Sequence, residues 1–180
     1  MGVACERYGA DCHLMVLMPN YLDLLLTTPN RNVDDVMRYF LSTVTRSILG
    51  SSNRINHILG GRYRWCVLGS ALAFAYTYKF ICRNPIREKE CLTVQGYPFI
   101  TLNDCRSDLP VCEGFRSYWD FIPKVLEQRL NWLNQPAALE QEKLVKRALR
   151  RYEFKFTSDS NLQRDLRLLR NGYGVESNCI

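Results

Sequence analysis

Residues 36–87 carry eight basic side chains and no acidic one: Arg38, Arg46, Arg54, Arg62, Arg64, Lys79, Arg83 and Arg87. A solvated surface usually mixes both signs, so a one-sided run of this kind predicts a polyanion partner held by guanidinium–phosphate contacts. Tyr63 and Trp65 stand inside the run, where their flat rings are available for stacking on bases. A second basic set follows near the C-terminus, with Lys143, Lys146, Arg147, Arg150 and Arg151. Helical spacing gathers it largely onto one side, which suits either phosphate contact or a solvated face paired with Glu140 and Glu142.

The other reactive side chains are less organised. Eight cysteines, at 5, 12, 66, 82, 91, 105, 112 and 179, form no C-x-x-C pair, and the two histidines, His13 and His57, are far apart. Cys105 and Cys112 with a distant histidine come nearest to a zinc set, but the ligand spacing is poor. The N-terminal stretch MGVACERYGADC has neither the basic nor the apolar region of a signal peptide. Free thiols in a reducing cytoplasm are therefore expected. With 180 residues, 47% hydrophobic and 23% charged, a net charge of +6 and a pI near 8.9, the chain suits one cored domain with an appendage.

Several elements must position these groups. Residues 12–18, CHLMVLM, make an apolar run of strand length; Pro19-Asn20 supplies turn chemistry, and residues 22–26 open a second run. Two adjacent antiparallel strands are predicted. Over 32–50, Val33, Val36, Met37, Phe40, Leu41, Val44 and Ile48 keep the spacing of one apolar helical stripe. Asn32 is its expected N-cap, Asp34 and Asp35 suit the positive end of its dipole, and Gly50 is expected to close it in a left-handed conformation. A polar loop over 51–61 leads to a third strand over 63–68. An apolar helix over 71–83 follows, capped by Ser70 and stopped by Pro85. The uncharged run 65–78 is 14 residues long, shorter than the roughly 20 needed to cross a bilayer. Beyond residue 100 a loop over 101–115 gives way to helices over 118–133, 138–151 and 160–170. The expected fold class is α+β, with an antiparallel sheet covered by helices on one face over 1–100 and a helical C-terminal extension over 101–180.

Four short pieces in order resemble the REP-associated tyrosine transposases, which belong to the HUH superfamily of single-strand endonucleases and transposases. The family strand motif, apolar-Met-Pro-Asn-His-x-His-apolar, is similar to Leu17-Met18-Pro19-Asn20-Tyr21-Leu22-Asp23-Leu24. Its Gly-Arg-Tyr-like signature is matched by Gly61-Arg62-Tyr63. The end of its catalytic helix, Tyr-Ile-x-x-Asn-Pro-Val-Arg, resembles Phe80-Ile81-Cys82-Arg83-Asn84-Pro85-Ile86-Arg87, and Tyr97-Pro98-Phe99 resembles the tail of the domain. The likeness covers residues 12–100 and implies a ferredoxin-like HUH core, here without the family's first strand and helix. A missing strand exposes a sheet edge, which a homodimer could fill.

In that family two histidines hold a divalent metal against the scissile phosphate, and a helix tyrosine attacks it. Here those positions hold Tyr21, Asp23 and Phe80. Phe80 has no oxygen with which to attack. A rebuilt site would need Asp23 as a ligand for Mg2+ or Mn2+ and Tyr76, one helical turn before Phe80, as substitute nucleophile. The expectation is thus a catalytically inactive DNA-binding protein with no cofactor, taking single-stranded or hairpin DNA of palindromic repeats. Its expected contacts are Arg38, Arg46, Arg54, Arg62, Tyr63, Arg64, Arg83 and Arg87. Two alternatives stay open: a metal-dependent single-strand endonuclease with a relocated site, and a protein-interaction module or non-functional remnant.

Overall fold

The computed structural model describes residues 1–51, 62–103 and 121–155. It has an α+β architecture with two compact units, one of Met1–Arg64 with Ile81–Ser117 and the other of Trp65–Phe80 with Tyr118–Ile180. Residues 65–80 thus group with the C-terminal stretch and not with the rest of the first hundred residues.

In the first unit the N-terminal stretch forms helix α1 (Gly2–Tyr8), which buries Ala4 and Cys5. It closes at Gly9, whose φ of 63° is the left-handed conformation glycine adopts without strain. Strands β1 (Asp11–Leu17) and β2 (Leu22–Thr27) pair antiparallel, and the turn between them is closed by Met18 N–H donating to the Tyr21 carbonyl at 2.9 Å. A register irregularity between Cys12 and Leu14 places one extra residue, His13, in β1. Cys12 and Met15 can therefore share a face despite their odd spacing. That face, with Leu22, Leu24 and Leu26, packs on Val36, Met37 and Phe40 of helix α2 (Val33–Ser51). The opposite face carries Leu14, Val16 and Leu25, all buried, with Asp23 paired across from Val16.

Two expectations for this unit need correction. Asn32 sits at the start of α2 and its carbonyl accepts the N–H groups of Asp35 and Val36, but its side chain does not cap them. It donates instead to the Tyr8 carbonyl at 2.9 Å, tying the end of α1 to the start of α2. Gly50 does not close α2, which runs through it to Ser51, whose hydroxyl donates to the Ser47 carbonyl at 2.8 Å. Residues 97–100 run along the outer edge of β1. Leu17 N–H donates to the Phe99 carbonyl at 3.0 Å, Val16 bridges Ile100, and Tyr97 O–H donates to the Leu17 carbonyl at 2.6 Å.

In the second unit Ser70 caps helix α3 (Ala71–Cys82) as expected, its hydroxyl accepting from Ala73 N–H at 3.2 Å. Pro85 does more than end that helix. After Arg83 the chain, again part of the first unit, enters a short helix α4 (Asn84–Arg87), with Pro85 in its first turn, where the missing N–H costs nothing. Helices α5 (Leu126–Asn134) and α6 (Leu139–Ala148) are shorter than expected, and Arg150 and Arg151 lie beyond the end of α6. Val145 and Ala148 of α6 pack with Ala73, Tyr76 and Phe154.

The third strand predicted over 63–68 is reduced to one bridge. Val67 N–H donates to the Tyr152 carbonyl and Phe154 N–H donates to the Val67 carbonyl, both at 2.8 Å, in parallel register with Glu153. The alternation is real, since Trp65 and Val67 are exposed while Cys66 and Leu68 are half-buried, yet one bridge does not make a ladder. Among the described residues the sheet has two strands, and no helix is long and apolar enough to cross a membrane. The loop at 51–61 and the helix at 160–170 lie outside the described residues, as does much of the helix expected at 118–133.

Candidate nucleic-acid interface

Of the three positions at which the resemblance expects chemistry, Asp23 and Phe80 are committed to internal contacts and Tyr21 is exposed. Asp23 accepts a hydrogen bond from the side-chain amide of Asn84, the first residue of α4, across 61 residues of chain. Burial pushes the Asp23 carboxyl up, while the Asn84 bond and the charge of Arg87 pull it down. Asn84 is 3% exposed, and its side-chain oxygen, Oδ1, is buried with no hydrogen-bond partner among the described residues. Tyr21 is exposed at the hairpin turn, with its hydroxyl pushed up by burial and by the carboxylates of Asp23 and Glu88. No group of three or more His, Cys, Asp or Glu side chains gathers among the described residues, so Asp23 has no set of co-ligands there. His13 is engaged elsewhere, its Nε2 lying 2.7 Å from the Thr27 hydroxyl, and burial pushes its pKa down.

In the second unit Tyr76, the substitute nucleophile, is a buried core residue in the cluster formed by Ala73, Val145, Ala148 and Phe154. Phe80 packs half-buried against the same cluster. Nucleophilic attack requires a phenol that substrate can reach, and Tyr76 is not placed to offer one.

The acid-free basic run divides sharply once folded. Arg83 is 7% exposed, so it is not a surface contact. Lys79 is likewise buried, its ammonium 5.0 Å from the ring centre of Trp132. Arg38 pairs with Asp35 at 3.1 Å, and Arg46 donates from Nε to the Ser42 carbonyl at 3.3 Å. Tyr63 donates to the Asp34 carboxylate, and burial together with that carboxylate pushes its hydroxyl up to about 12. Its half-buried ring packs beside the α2 core, which removes it as a stacking surface. Arg62 and Arg64 are exposed and Arg87 is half-buried, while Arg54 lies outside the described residues.

The second basic set has a different character. Lys143 is neutralised by Glu140 at 2.9 Å, as a solvated helix face would have it. Lys146 and Arg147 in the last turn of α6, and Arg150 and Arg151 just past it, are exposed. Their side chains make no ion pair or hydrogen bond among the described residues. Next in the chain comes Tyr152, 80% exposed, whose ring centre is 5.7 Å from that of Trp65, 47% exposed, with the planes at 58°. The backbone bridge between Val67 and residues 152–154 holds this pair at the surface. Glu153, the nearest acid in sequence, is taken up by Lys155 at 2.6 Å. Trp65 was marked for stacking by its sequence neighbours; Tyr152 was not, although an aromatic directly after Arg150-Arg151 was the available clue.

No protein-family model matches the chain, and comparison with curated proteins and with solved structures finds no significant match.

Proposed function

We propose that this chain binds single-stranded or hairpin DNA of palindromic repeats without cutting it, as a catalytically silent relative of the single-tyrosine transposases with a reduced ferredoxin-like core. The observation that carries this is a set of exposed cations, Lys146, Arg147, Arg150 and Arg151, that have no acidic partner among the described residues. Like charges this close in sequence repel one another, and a phosphate backbone converts that repulsion into binding through release of condensed counterions. Arg62 and Arg64, also exposed, are further contacts, whereas Arg83 serves the interior.

The silence of the site is supported by the fates of its parts. Asp23 is held by Asn84, Tyr76 is in a core, and Phe80 carries no oxygen. Binding of this kind needs no metal. The buried free thiols Cys5, Cys12 and Cys82 suit work in the reducing cytoplasm.

Fluorescence anisotropy of the full chain against a labelled stem-loop and a scrambled strand, at two salt concentrations, tests the proposal. Tight, salt-sensitive binding that prefers the stem-loop is expected, with no nicked product and no protein–DNA adduct in Mg2+ or Mn2+. Cleavage would restore the enzyme alternative. Absence of binding at both salts would leave an interaction module or remnant.

A further inference from the structure

We infer that the exposed Trp65–Tyr152 pair is a stacking platform for unpaired nucleobases, with Arg150 and Arg151 holding the adjoining phosphates. The inference rests on the DNA-binding function proposed above and adds the element that would distinguish single strands from duplex. Two large aromatic rings in mutual contact at the surface, beside the exposed Val67, leave an apolar patch in water that folding has not covered. The rings are not loose decoration, because two backbone hydrogen bonds of 2.8 Å fix the segment carrying Val67 against the segment carrying Tyr152.

The charge around the pair selects the partner. An apolar protein surface would not be matched by two arginines immediately before Tyr152 that have no counter-charge among the described residues, whereas a nucleotide strand presents a π-face and a phosphate at every step. The one adjacent acid, Glu153, is neutralised by Lys155 and does not repel a phosphate. In a duplex the base faces are stacked on one another and cannot reach the rings; in a single strand or a hairpin loop they can. Ring stacking discriminates weakly among bases, so the platform recognises unpairedness and leaves sequence choice to other contacts.

The test uses the full chain with a labelled oligothymidylate of about 12 nucleotides, an RNA strand of the same length and a blunt duplex, read by anisotropy. Wild type is expected to bind the single strands more tightly than the duplex. W65A and Y152A should each weaken single-strand binding about tenfold and leave duplex binding unchanged, while W65F, which keeps a ring, retains most of the affinity. R150A/R151A should weaken all three ligands and flatten the salt dependence. Both ring positions are exposed, and an unchanged circular dichroism spectrum would confirm that the variants fold. The platform is overturned if wild type binds single strands but W65A and Y152A bind them equally well, or if W65F loses as much as W65A. If wild type binds none of the ligands, the DNA-binding function itself fails and the platform with it. A thymidylate–RNA difference would say which kind of strand the pair prefers.

Discussion

The polar groups around Asp23 and the cations around Tyr152 show what a fold can do with similar raw material. Asp23 lies some sixty residues before Asn84 and Arg87 yet meets them in the structure, where the Asp23 carboxylate is satisfied from within. Lys146, Arg147, Arg150 and Arg151 lie close in sequence and are exposed, with no partner among the described residues. A side chain already hydrogen-bonded inside a protein must break that bond before it can serve a ligand, whereas an exposed unpaired cation loses little on meeting a phosphate. The first region is closed on itself by its own hydrogen bond, whereas the second presents bare charge to solvent.

The sharpest way to break this contrast is to neutralise the second region. The quadruple variant K146A/R147A/R150A/R151A should lose about two to three orders of magnitude in single-strand affinity at 0.1 M salt, with the log–log salt slope shallower by about three. Its thermal stability should fall only slightly, through loss of two cations at the C-terminal end of α6. A large loss of stability with little change in affinity would make these residues structural and erase the distinction.

Asn84→Ala probes the other side. It strips a half-buried carboxylate of its donor and should cost about 1–3 kcal/mol in chemical denaturation while leaving DNA affinity intact. Weakened binding with unchanged stability would instead place Asn84 at a ligand.

A smaller effect is expected from acid. Because burial lowers the His13 pKa below 6.5, the unfolded chain takes up a proton before the native one does. Stability should therefore fall as pH drops from about 6.5 through the lowered native value, and His13→Gln, which can still bond Thr27, should flatten that part of a Tm-versus-pH curve. An identical slope in the variant would assign the acid sensitivity to other groups. The smallest change belongs to Arg38→Ala. Its exposed pair with Asp35 is worth within about 0.5 kcal/mol, and melting should scarcely register its loss.

Much of the local structure was legible beforehand, and the reasons are specific. The 3.6-residue stripe from Val33 to Ile48 produces α2, the two apolar runs around Pro19-Asn20 produce the hairpin, and Ser70 caps α3. Each depends on neighbours within a few residues. Helix α1 was missed because its seven residues are too short to show a clear period, and it is held by packing on α2. The third strand failed because alternation says which way side chains point, not whether a partner strand exists; Val67 finds only one bridge.

The candidate site was legible by residue type and not by exposure. Sequence order alone made Arg83 and Trp65 equal members of one basic, aromatic stretch, yet Arg83 is buried and Trp65 stands on the surface beside Tyr152. The absence of acids between residues 36 and 87 is likewise a property of the line of sequence, since Asp34 and Asp35 from just outside it bond Tyr63 and Arg38. By itself, then, the chain's order of residues determined its α+β elements, its basic character and the absence of an oxygen at Phe80, because these follow from covalent identity and short-range periodicity. Only the tertiary structure decided which cations face solvent, which carboxylate is already bonded and which two rings meet, because burial and pairing depend on residues brought together from distant parts of the chain.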